Sequence, residues 1–176
     1  MTRANVFLRL SVLLATALVG GSLVACAAPQ PAAAPDAPEY LIATDKTDNV
    51  VTATADGDRL LVEVHSASGI GSAGVRAAQG QLPPSVTLRF YLAGLEQMTF
   101  AFGDAVVKLS VPSGDQPVLQ SVVEAGQESP LTPESPYWME VTKPAAAGDP
   151  FEVSAPPAFA AAAPSNFTLG WIDFYR

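Results

Sequence analysis

Two short stretches near the end of the chain, Tyr137-Trp138-Met139-Glu140 and Trp171-Ile172-Asp173-Phe174-Tyr175-Arg176, each set aromatic rings within two residues of a carboxylate. An aromatic ring can stack on the apolar face of a sugar while a neighbouring carboxylate or amide accepts its hydroxyls. Alternation through PYWMEVTK puts Tyr137, Met139 and Val141 on one face of a strand and Trp138, Glu140 and Thr142 on the other. That second face is polar, so Trp138 is expected in solvent beside Glu140. In the last segment Phe167, Leu169 and Trp171 share a face with Asp173 and Tyr175, and Ile172 and Phe174 take the opposite one. Both faces are apolar enough for a central strand covered on both sides. A partly buried Asp173 then needs a partner, either Arg176, Arg89 or a backbone amide. The candidate ligand-binding residues are thus Trp138, Glu140, Tyr137, Asp173 and Tyr175. The competing expectation for every ring is core packing.

Other reactive side chains are less well placed. His65 is the only histidine, and it alternates with Leu61 and Glu63 opposite Val62 and Val64, on the wetter face of a strand. No second histidine completes a zinc site, and no G-x-S-x-G elbow nominates a nucleophile. Asp45, Asp48, Asp56 and Asp58 crowd one stretch, and such hard oxygen ligands suit Ca²⁺. The run DKTDNVVTATADGD lacks the glycine and glutamate of an EF-hand loop, and turn formation explains these aspartates equally well. No cofactor is expected beyond that possible Ca²⁺. Gly69, Gly71 and Gly74 match GxGxxG after LLVEVH, yet VRAAQGQLPP leaves no room for the helix a nucleotide site requires. A flexible loop or bulged edge strand is expected there instead.

The elements that would carry these residues are strands. DNVVTATA and RLLVEVHS flank the turn Asp56-Gly57-Asp58, and QMTFAFG and AVVKLSVPS meet at Gly103-Asp104, two hairpin signals. SVTLRFYLAGL, PVLQSVVEA, PYWMEVTK, PFEVSAP and NFTLGWIDFYR complete eight or nine short segments rich in β-branched and aromatic residues. PPAFAAAAP allows a helical turn or two before Pro164. This pattern predicts an all-β fold, an antiparallel sandwich of immunoglobulin-like or jelly-roll type.

The start of the chain reads differently. Arg3 and Arg9 precede an apolar run from Leu10 to Val19, the order of a secretory signal with an h-region of about 7–15 residues. A membrane span would need about 20. The segment closes Leu23-Val24-Ala25-Cys26, which resembles the lipobox of bacterial lipoproteins. That resemblance implies cleavage before Cys26 and acylation of its thiol, with about 0.8 kcal/mol of membrane affinity per buried CH₂ and at least two chains for stable anchoring. Residues 1–25 are then the signal, residues 26–39 the acylated cysteine with a Pro/Ala-rich spacer, and residues 40–176 a single domain.

Once Arg3 and Arg9 leave with the signal, seven of nine basic residues remain against seventeen acidic ones, a net charge of −10. That argues against nucleic acid as a partner and against electrostatic attraction to anionic lipid. Taken together, the sequence points to a lipid-anchored protein of the bacterial cell envelope, on the outer membrane or cell surface. Ala27 after the cysteine lacks an acidic retention signal, which fits that location. Its domain is expected to bind or to serve structure without catalysis, with a glycan or an envelope protein as partner. An unpaired edge near residues 66–80 is one expected route to assembly. The alternative is a small glycosidase-like hydrolase, which would need two carboxyls about 5–10 Å apart across a cleft.

Overall fold

The computed structural model describes residues 39–162 and 171–175. The expectations for the signal, Cys26 and the spacer up to residue 38, and those for Phe167, Leu169 and Arg176, lie outside the described residues. Twelve strands and one short helix follow in order: β1 (Tyr40–Thr44), β2 (Asn49–Asp56), β3 (Arg59–Ser66), β4 (Gly71–Ala77), β5 (Ser85–Tyr91), β6 (Gln97–Phe102), β7 (Ala105–Ser110), β8 (Leu119–Glu124), β9 (Gln127–Pro130), β10 (Glu140–Thr142), β11 (Phe151–Ala155), α1 (Pro157–Ala162) and β12 (Trp171–Tyr175).

They form two sheets, a seven-stranded one in the order β1-β4-β12-β6-β7-β8-β9 and a five-stranded one in the order β10-β11-β5-β3-β2. Alternation decides which side chains meet between the sheets. Met98, Phe100 and Phe102 of β6, Val107 and Leu109 of β7, and Ile172 and Phe174 of β12 point inward from the larger sheet. Leu60, Val62 and Val64 of β3, Val86, Leu88 and Phe90 of β5, and Phe151 and Val153 of β11 answer from the smaller one. The Phe90 and Phe174 rings meet across the gap with centroids 5.8 Å apart. Each such side chain contributes about 1.5–3 kcal/mol by burial, and with no disulfide among the described residues this core holds the fold. The result is the all-β sandwich that the alternation predicted.

Strand number exceeds the expected eight or nine, because β1, β4 and β9 carry weak sequence signals. The segment GSAGVRA is a strand lying between β1 and β12, neither a loop nor an edge. Two contacts explain why glycine belongs there. The Asp45 carboxylate accepts a hydrogen bond from the Ser72 backbone N–H at 2.7 Å. A Cβ on Gly71 would also run into the Asn49 side-chain amide. The expected assembly edge at residues 66–80 is therefore occupied on both sides where β4 runs. Every ladder is antiparallel except β3–β5, which is parallel because the chain visits the other sheet as β4 between them.

The two hairpins read from the sequence are present. Asp56 pairs with Arg59 and Phe102 with Ala105, and Gly57 and Gly103 take the positive φ of 59° that the tight turns require. A third hairpin joins β8 to β9 through Ala125 and Gly126, both at positive φ (49° and 79°). Helix α1 begins at Pro157, a favoured first helical position, and drives Phe159 into the core against Phe102.

Candidate functional site

Trp138 sits where the chain crosses from the larger sheet to the smaller one. After Pro130 the chain turns twice, with Ser135 N–H donating to the Thr132 carbonyl at 2.9 Å and Trp138 N–H to the Ser135 carbonyl at 3.0 Å. Strand geometry starts only at Glu140, so the alternation expected through Tyr137 and Trp138 does not apply. Pro136 and this turn interrupt it. Tyr137 leans on Phe102, with centroids 5.7 Å apart, and is part of the packing rather than of an exposed site.

What fixes Trp138 is its neighbour Met139, fully buried and held by the inward-facing side chain of Gln120 on β8. Gln120 Nε2 donates to the Met139 carbonyl at 2.6 Å, and Gln120 Oε1 accepts from the Met139 N–H at 3.0 Å. One side chain thus replaces a strand neighbour for a stretch that has none. The Trp138 ring is left half-buried between two adjoining hollows. The first, about 450 Å³, is lined by Ser110, Leu119, Gln120, Ser121 and Leu131 among others. The second, about 330 Å³, is lined by Asp115, Gln116, Val141 and Lys143 among others.

Lys143 bounds the second hollow and a third of about 340 Å³ that continues past Val111 and Pro112 to Glu96. Its ammonium donates to the carbonyls of Pro112 (2.7 Å), Gly114 (2.9 Å) and Gln116 (2.7 Å). All three of its donors are used, and the loop between β7 and β8 is tied to the strand that follows Trp138. Three linked hollows with Trp138 between the first two make an open groove along this side of the sandwich. Gln120 and Lys143 were not legible as site residues, since their roles depend on contacts 19 and 27–31 residues away in the chain.

The remaining candidates lie elsewhere. Glu140 is exposed on β10 opposite Ser154 and lines neither hollow beside Trp138. Asp173 and Tyr175 project from the outer face of β12, three ladder steps from β8, or about 14 Å. Asp173 accepts hydrogen bonds from the Ser72 hydroxyl and, at 3.4 Å, from the Thr99 hydroxyl. These hydroxyls stand directly across from it on β4 and β6, whereas Arg89, one of the expected partners, pairs with Glu152 and Glu63 on the other sheet. Strand β12 is central as expected, and on its outer face Asp173 is half-buried while Tyr175 is 44% exposed. The five residues therefore belong to at least two surfaces.

The aspartate cluster also divides. Asp45 and Asp48 clasp the loop before β4, Asp48 accepting from the Ser68 N–H at 3.2 Å, whereas Asp56 pairs with Arg59 at 2.8 Å. The length of β2, about 25 Å, separates the two pairs. Among the described residues no three acids or histidines converge as a metal site. Hydrogen bonding from Ser68 holds the Asp48 carboxyl below its ordinary range. Ser121 and then Lys108 do the same for Glu128, and Thr132 does so for Glu134. These shifts run opposite to what a general acid needs.

No protein-family model matches the chain, and no curated protein or solved structure matches it either.

Proposed function

We propose that this protein is a lipid-anchored component of the bacterial cell envelope whose β-sandwich is a non-catalytic binding module. Acylated Cys26 inserts in the membrane, residues 27–39 hold the domain away from it, and the groove at Trp138 takes an extended glycan. The observation that carries the ligand class is the Trp138 ring, held by the Gln120–Met139 bonds between two hollows with serine, glutamine and aspartate side chains in their walls. Such a ring offers a stacking plate, and the amides and hydroxyls beside it suit sugar hydroxyls. Of the groove's carboxylates, Asp115 lies in the second hollow and Glu96 in the third, on the far side of Lys143, whereas glycoside hydrolysis sets a pair across one cleft. That favours binding over a glycosidase.

Calorimetric titration of the full chain with a panel of soluble oligosaccharides tests the ligand class. A saturable heat lost in Trp138→Ala, with no reducing ends released, supports it. Release of reducing ends would replace it with the hydrolase reading, and silence across the panel would leave a protein-binding or structural domain. Intact mass of the protein purified from membranes tests the anchor. The expected product starts at acylated Cys26, and a soluble product cut elsewhere overturns that part.

A further inference from the structure

The outer face of the five-stranded sheet holds a set of planar side chains that the Trp138 groove does not use. Glu63 of β3, Arg89 of β5 and Glu152 of β11 are direct cross-strand neighbours, and His65 and Tyr91 form the next row. Arg89 Nε donates to Glu152 Oε2 at 2.9 Å, and Arg89 Nη1 lies 4.0 Å from Glu63 Oε1. The Tyr91 hydroxyl donates to the same Glu63 oxygen at 3.2 Å. His65 and Tyr91 stack with centroids 4.3 Å apart and planes within 3°. Val50, 57% exposed, stands across from His65 on β2, and Tyr91 also lines a hollow of about 350 Å³ with Ser66, Gly148 and Asp149.

From this arrangement we infer a second saccharide site, on the opposite sheet from β8, whose ligand is a neutral pyranoside with vicinal hydroxyls. The outer ring faces, those that His65 and Tyr91 do not turn to each other, supply the stacking surface. The row beside it alternates acceptor, donor and acceptor over two ladder steps, about 10 Å, and sugar hydroxyls can both donate and accept. The guanidinium has five N–H groups in a planar fork, and the contacts to Glu152 and Glu63 leave part of that fork able to reach a diol. The three charged side chains are about one-third exposed (32–36%), so hydrogen bonds made there are less weakened by water than on an open surface. One arginine between two glutamates leaves the row at net −1, which selects against uronic acids and phosphorylated sugars. The hydrogen bond to Glu152 also keeps Arg89 charged. This inference does not depend on the Trp138 groove.

The chain has a single histidine, so the imidazole Cε1–H resonance of His65 reports on this face alone. Full-chain protein at pH 7.5 is titrated with methyl pyranosides and with short neutral oligosaccharides. A saturable His65 shift is expected, at least tenfold weaker in Arg89→Lys, which keeps the charge but loses the fork. It should persist in Trp138→Ala. Tyr91→Phe, which removes only the hydroxyl, should weaken it without loss of folding. An unmoved His65 resonance across the panel, or a shift that never saturates, overturns the site. Loss of the shift in Trp138→Ala would also overturn it, because the two surfaces would then be one.

Discussion

The groove at Trp138 and the row at Arg89 are built in opposite ways. The row stands on three adjacent strands, and ladder register alone makes Glu63, Arg89 and Glu152 neighbours. The groove is assembled from turns, and its ring keeps its place through one glutamine and one lysine reaching from elsewhere. A strand-built surface loses little when one member changes, since the backbone ladder still positions the others. A turn-built surface depends on a few buried polar contacts whose loss leaves unpaired groups.

The largest effect that separates the two is therefore expected from Gln120→Leu. It strands both the N–H and the carbonyl of Met139 in the core, at a cost of about 2–4 kcal/mol. Urea unfolding followed by fluorescence should show that loss together with a red-shifted native spectrum as Trp138 is released. The His65 resonance should stay put. An unchanged unfolding midpoint would mean that the turn does not depend on Gln120.

Lys143→Met should cost less, about 1–2 kcal/mol, because its three carbonyl partners are near enough to solvent to be rehydrated. Its sharper consequence is local, with faster amide exchange across residues 112–116 and normal protection in β3 and β5. Equal loosening of both regions would erase the distinction drawn between them.

A smaller change of opposite sign is expected in the β8–β9 hairpin that borders the groove. Ala125 is the non-glycine residue at positive φ among those described, so Ala125→Gly should raise stability by about 0.5–1 kcal/mol. The unfolding midpoint checks this. A lower midpoint would show that the methyl group contributes packing that outweighs the backbone strain.

Acid and alkali should also divide the two regions. Glu128 beside the groove has a depressed pKa, so its contribution is present above its ordinary 4.5 and is lost as pH falls below that value. Tyr91 in the row has a raised pKa, from burial first and the Glu63 bond second. Its contribution is present below the ordinary 10.0 and is lost as pH rises past it. Exchange of the β8–β9 amides in acid and of the β3–β5 amides in alkali reads the two effects separately. Both should be modest, since Glu128 is exposed and Tyr91 is half-exposed.

The same contrast explains which parts could be read from the chain. Period-two alternation gives Leu60, Val62 and Val64 their inward face and Glu63 and His65 their outward one, and Asp-Gly and Gly-Asp mark two hairpins in advance. The helical turn at PAFAAA was legible for the same local reasons. Strand β4 was not, because glycine and alanine carry little strand propensity and its reason for being there lies in Asp45 and Asn49 more than twenty residues away. The row at Arg89 escaped for want of the β3–β5 parallel pairing, which no local signal encodes. At Trp138 the sequence offered the ring, but not the turn at Ser135-Pro136 that ends the expected alternation and separates it from Tyr137 and Glu140.

Trp138 as the ligand platform is the claim on which the functional reading stands. Tryptophan emission of the full chain, recorded against increasing neutral oligosaccharide in wild type and in Trp138→Phe, tests it. A saturable blue shift is expected in the wild type and should disappear in Trp138→Phe, leaving only the emission of Trp171. A shift of equal size and midpoint in both proteins would contradict it, for the ligand would then bind somewhere other than the groove.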